Sequence, residues 1–167
     1  ELQTAEVVQK TLFPPGDLVE PGMQLSGFIK SASETGGDWY GYLREPGGHR
    51  VVIMVGDVTG HGVPAALVTA ATHSYFRGIE QFSKLLADTY GRAVAIDLLS
   101  PSLILSQLNR IILAAGDRRL LMTFFVATYD PREAKITFAN AGHPFPYLYR
   151  AGRAFSESRR LTILRAN

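Results

Sequence analysis

Two aspartates, Asp38 and Asp57, stand at glycine-rich strand ends in the strings SETGGDWYGY and VVIMVGDVTGHG. An acidic pair presented by two tight backbone turns is a way to offer oxygen ligands to a hard divalent cation. Asp38 follows Gly36 and Gly37 and leads the alternating run Trp39, Tyr40, Gly41, Tyr42, Leu43. Asp57 closes the apolar run Val51, Val52, Ile53, Met54, Val55. Between them Glu45, Pro46, Gly47, Gly48 and His49 supply turn chemistry, because proline presets one turn position and glycine accepts positive φ. The two runs therefore read as an antiparallel hairpin whose far ends bring the carboxylates together. The alternative is that both aspartates only cap turns, as many Asp residues beside Gly do.

The absence of cysteine removes disulfides and thiolate metal sites, leaving carboxylate, carbonyl, imidazole and water as ligands. It also fits a reducing compartment, and a cytoplasmic location is expected. At 167 residues with 46% apolar content, the chain can bury about 70% of its unfolded surface in one core. No apolar run reaches the roughly 18 residues of a membrane span, and no signal peptide opens the sequence, so no membrane contact is expected.

The net charge of +2 is uneven: from Ala141 onward there are Arg150, Arg153, Arg159, Arg160 and Arg165 against the single acid Glu157. A nucleic-acid surface needs stacking or base-reading groups beside its cations. Between Arg150 and Arg165 the only aromatic residue is Phe155, so a solvated segment is expected and no nucleic-acid partner.

Elements that position the aspartates follow from periodicity. Leu2, Ala5, Val8 and Leu12 lie on one helical stripe that Phe13, Pro14, Pro15 and Gly16 end. A strand begins at Met23 and leads towards Asp38, so three strands precede the first internal helix. That helix starts at Pro64 and runs to about Phe76, apolar on nearly every face and hence buried on a sheet. Residues 88–99 read as a loop or insertion. Ser100 and Pro101 then open a second helix with Leu105, Leu108, Ile111, Ile112 and Ala115 on its stripe, ending at Gly116. Strands return over 121–129 and 135–140 around a turn at Asp130 to Glu133, and a final strand is expected from Phe145 to Tyr149. Meanders on either side of two helices make an α+β fold of antiparallel sheets with helices outside.

The strings ELQTAEVVQKTLFP, SETGGDWY, VVIMVGDVTGHGVPAALV, LNR, MTFFVATYDP and ITFANAGHP, in this order over nearly the whole chain, resemble the PPM-type serine/threonine phosphatases of the SpoIIE and RsbU kind. The resemblance implies a PP2C-like four-layer αββα sandwich and a two-metal site holding manganese or magnesium. It implies that Asp57 bridges the two metals, that Asp38 binds one of them, and that the backbone carbonyl of Val58 completes the set. It further implies a regulatory linker helix over residues 1–16 ahead of a phosphatase domain over 17–167, an upstream sensor, and a phosphorylated STAS-type anti-sigma-factor antagonist as substrate. The family pattern continues past Arg150 to a TDG motif and a late aspartate that this sequence lacks, so a domain incomplete at its C-terminus is expected. With two carboxylates and one carbonyl, such a fragment is expected to hold at most one metal weakly and to turn over little substrate. An open sheet edge is expected to allow a homodimer.

No catalytic side chain is assigned. His61 is a candidate general acid, but relatives carry a histidine closer to the bridging aspartate, and a turn histidine bonded to backbone is the preferred reading. His143, in AGHP, reads as corner chemistry, His49 as a loop residue and His73 as a helix residue. Trp39 and Tyr40 divide between core and surface. A noncatalytic interaction module or pseudophosphatase stands as the alternative to the enzyme.

Overall fold

A computed structural model of the chain describes residues 2–14, 16–30, 36–115 and 120–148. Helix α1 (Leu2–Lys10) leads into a small hairpin of β1 (Leu18–Glu20) and β2 (Met23–Leu25). Strands β3 (Asp38–Arg44) and β4 (Val51–Val58) are followed by helices α2 (Val63–Tyr90), α3 (Arg92–Leu98) and α4 (Pro101–Ala115), then by β5 (Met122–Asp130) and β6 (Lys135–Ala141). The four longer strands form one antiparallel sheet in the order β3-β4-β5-β6. The α+β class with antiparallel pairing is thus observed. Among the described residues the four-stranded sheet is covered on one face by a helical layer, and β1 and β2 form a separate two-stranded sheet.

Alternation along the strands decides which face is covered. Trp39, Leu43, Val52, Met54, Val58, Phe124 and Val126 point to the helices and join Val68, Phe76 and Ile79 of α2 and Ile104, Leu108 and Ile112 of α4 in a single core. Trp39 is its centre, 1% exposed, edge-on to Phe76 at 5.4 Å and stacked on Phe124 at 5.9 Å. The intervening β4 residue is Gly56, paired with Trp39 on one side and Phe124 on the other. A Cβ there would stand 2.2 Å from Phe124 Cδ2, so only glycine lets the two rings meet across the strand.

Several elements differ from expectation for identifiable reasons. β1 was not expected, yet Pro21 and Gly22 (φ 80°) make a two-residue turn and Leu18 to Glu20 pair back on Met23 to Leu25. β2 stops at Leu25, so the alternation through Gly27 and Ile29 does not continue as strand. α2 does not stop near Phe76: Ile79 and Ser83 continue its buried stripe, and Glu80 pairs with both Arg77 and Lys84 on the solvent side. Nor is it buried all round, since the apolar Leu67 is exposed. Gly91 (φ 89°) ends it, donating its amide to Ala87 O at 3.1 Å. Residues 88–99 are therefore the last turn of α2 and α3, not a loop; Ala95 and Leu99 are buried there. The final strand is not formed over residues 145–148 as a named element, consistent with Pro144 and Pro146 removing two ladder donors. On α1 the stripe fails at Val8, which is exposed, while Gln9 is buried. Gly116, Tyr149 and the five arginines lie outside the described residues. No single helix among the described residues is long and apolar enough to cross a membrane.

Candidate metal centre

The β3–β4 ladder places Asp38 directly opposite Asp57. Opposed residues share a face, with Cβ atoms about 4.5–5.5 Å apart. Because Trp39, Gly56 and Val58 face the helices, the two carboxylates stand on the opposite, open face of the sheet, and both residues are exposed. The expected hairpin turn sits at the other end of the ladder, where Glu45 N donates to Arg50 O and Gly48 N to Glu45 O.

Like charges directly opposed across a ladder repel. Burial pushes the Asp38 carboxyl above its usual 3.8, and the neighbouring Asp57 carboxylate pushes it further, against a smaller opposing influence of His143. A divalent cation relieves that repulsion.

Gly37 shapes the third donor. Its carbonyl accepts the Val58 amide at 3.1 Å, and a Cβ on it would stand 2.5 Å from the Val58 carbonyl oxygen. That oxygen belongs to the backbone and cannot swing aside, so the space beside it exists only because residue 37 is glycine. Two carboxylates and a carbonyl make an all-oxygen donor set, which suits a hard cation such as magnesium or manganese. Among the described residues no group of three or more His, Asp or Glu side chains converges as a metal cluster. The donors present fit one side of a coordination sphere.

The histidines lie in the kinds of element that the sequence reading gave them, but one of them does more than was expected. His61 is exposed in the turn after β4. His49 bonds Asp130 at 3.0 Å near the far end of the sheet, and His73 packs beside Trp39 and Phe76. His143, read as corner chemistry, does hold a corner: its amide donates to Asn140 Oδ1 at 2.8 Å and its carbonyl accepts from Asn140 Nδ2 at 2.9 Å. Its ring, however, is brought to the acidic pair. Burial lowers the His143 pKa, while the charges of Asp57 and Asp38 act in the other direction. Its Nδ1 lies 2.9 Å from Thr123 Oγ1, and Thr123 is the β5 residue paired with Asp57. The signal that was missed is register: the β5–β6 pairing returns the AGHP corner to the level of Asp57, which the sequence of that corner alone does not reveal.

Comparison with known proteins gives a consistent set of likenesses. The family model described as stage II sporulation protein E (SpoIIE) matches residues 47–164, which include Asp57, Val58, Thr123 and His143. The chain is 27% identical over 149 residues to phosphoserine phosphatase RsbU of Bacillus subtilis (strain 168), covering 89% of this chain and 39% of that protein. It is 32% identical over 150 residues to phosphoserine phosphatase RsbP of the same organism, covering 86% and 32%. The chain thus spans 39% and 32% of the lengths of these two curated relatives. Among solved structures, the SiaA-PP2C domain of Pseudomonas aeruginosa superposes with a TM-score of 0.53 at 21% identity, over 83% of this chain and 51% of that one. The RsbU and RsbW domains of a Mycobacterium tuberculosis protein give 0.50 at 27% identity, over 79% and 31%.

Proposed function

The chain belongs to the SpoIIE family, and from that membership we propose that it serves as a metal-dependent protein serine/threonine phosphatase domain, with Asp38, Asp57 and the Val58 carbonyl as cation ligands. The observation that carries the reading is the pairing of Asp38 with Asp57 across the β3–β4 ladder, beside a carbonyl that only glycine at position 37 leaves open.

Phosphate monoester hydrolysis is among the slowest uncatalysed reactions, and a divalent cation, when bound, supplies charge neutralisation for phosphoryl oxygens and acidification of water. The chain's own residues supply the rest. Asp57 and Asp38 hold negative charge at fixed positions on a rigid ladder, so the site is preorganised and does not collapse on binding. Gly37 and Gly56 leave room for the close approach of their neighbours around that ladder. Thr123 holds the His143 ring through Nδ1 next to the acidic pair, and burial keeps that imidazole's pKa below its ordinary value. His61 receives no role.

The curated relatives RsbU and RsbP are named phosphoserine phosphatases. That likeness supports a phosphoserine substrate; from the family resemblance of the motifs we further propose a phosphorylated STAS-type anti-sigma-factor antagonist as that substrate, manganese or magnesium as cofactor, a sensor upstream and a regulatory role for residues 1–16. The test is manganese-dependent hydrolysis of a phosphorylated STAS protein by the full-length protein that carries this chain. Asp57→Asn should lose activity by several orders of magnitude, and Asp130→Asn should retain it. Asp130 lies seven positions along β5 from Thr123, about 23 Å away, where it caps the turn by accepting the Arg132 and Glu133 amides. Equal activity of wild type and Asp57→Asn would remove the site.

A further inference from the structure

Gln9 is a polar residue where α1 meets the body of the protein, 7% exposed. Burying an amide costs free energy unless its donors and acceptor are bonded, and every bond observed for this one leads to the acidic site or its support. Gln9 Nε2 donates to Gly36 O at 2.6 Å, and Gln9 Oε1 accepts the Gly36 amide at 3.1 Å. The side chain thereby pairs with both backbone groups of one residue, as a neighbouring strand would. The second Nε2 proton goes to Thr69 Oγ1 at 3.2 Å, and Thr69, fully buried in α2, passes its own hydroxyl proton to Ala66 O at 2.8 Å. Gly36 is thus fixed between α1 and α2. The next residue, Gly37, bonds the Val58 amide, and the one after it is Asp38. A second latch on the same segment runs from Trp39 Nε1 to Leu12 O at 3.2 Å.

We propose that Gln9 is a positioning residue for the cation site: by clamping Gly36 it sets the turn that places Asp38 opposite Asp57. The inference rests on the reading of Asp38 and Asp57 as cation ligands. A hydrophobic residue of similar shape at position 9 would pack against α2 equally well, which leaves the clamp as the reason for an amide there.

The test uses the full-length protein that carries this chain, with Gln9→Met to keep volume while removing all three bonds, and Lys10→Ala as a control that breaks only the surface pair with Glu6. Manganese titration by calorimetry should show binding weakened about tenfold or more in Gln9→Met, the usual cost of losing an outer partner of a ligand, and unchanged in Lys10→Ala. Without metal, the Gly36 amide should exchange faster in Gln9→Met than in wild type. Phosphatase activity of Gln9→Met should recover as manganese is raised to saturation, which a general loss of structure would not allow. Should Gln9→Met not fold, Thr69→Val, which removes one acceptor of the clamp, should weaken binding by a smaller factor, and wild-type affinity there would overturn the inference. Wild-type manganese affinity and Gly36 protection in Gln9→Met, with binding lost in Asp57→Asn, would overturn the role of Gln9 alone. No manganese binding by the wild type would overturn the ligand reading and this inference with it.

Discussion

The acidic pair sets opposing demands on the same residues. Asp38 binds its proton more tightly in the fold than in the unfolded chain, first through burial and then through Asp57. The sign follows: the metal-free fold gains relative stability as pH falls through that raised value, whereas a cation must displace the same proton. Manganese affinity should therefore decline as pH is lowered from neutral towards the window above 3.8, in a calorimetric pH series, and pH-independent binding would exclude Asp38 as a ligand. Gly37→Ala is the sharpest steric probe, because its Cβ would meet the Val58 carbonyl at 2.5 Å. We expect about 1–3 kcal/mol of lost stability, the usual range for overpacking, together with weaker manganese binding, measured by denaturant unfolding and titration. The pair itself was legible in sequence because glycine-flanked strand ends and a turn between them leave little freedom in pairing. His143 was not, because its approach depends on how β5 and β6 register, and Gln9 was not, because a helical stripe read from apolar spacing favoured Val8 over the residue beside it.

Elements hold the site from the far end of the sheet. Glu45 closes the β3–β4 turn, buried, with Arg50 donating to both its oxygens at 2.9 and 3.1 Å and Arg92 of α3 adding a third bond at 3.2 Å. Burial pushes this carboxyl up, but the bonds and charges of Arg50 and Arg92 outweigh it and hold the group below its ordinary 4.5. Its contribution to stability is thus fully present above 4.5 and is lost as pH falls through the lower folded value. Glu45→Gln should cost about 1.5–3 kcal/mol at neutral pH, the range for hydrogen bonds to charged groups, seen as a lower urea midpoint with manganese affinity unchanged. An unchanged midpoint would mean that the triad adds nothing to the hairpin. This triad explains why residues 88–99 resisted a reading from sequence: α3 is short and weakly periodic, and its place is fixed by Arg92 reaching a carboxylate 47 positions earlier. The length of α2 was hidden for a related reason, since Ser83 interrupts the apolar pattern while still facing the core.

Across the whole molecule, one helical layer braces one sheet, and the acidic pair stands on the sheet's other face. That arrangement was readable from the alternation of strands and the two long helical patterns, which fixed antiparallel pairing and the covered face. The central claim is that Asp38 and Asp57 hold a divalent cation at a cost to the metal-free fold. Thermal unfolding of wild type and Asp57→Asn, each with and without manganese, tests it most directly. Without metal, Asp57→Asn should be slightly more stable, by about 0.5 kcal/mol, because solvent screening weakens an exposed repulsion. Manganese at about 100 times its Kd should stabilise the wild type by about 2.7 kcal/mol, a rise of roughly 5–10 °C for a chain of this size, and should leave Asp57→Asn where it was. An equal rise in both proteins, or none in the wild type, would contradict the account.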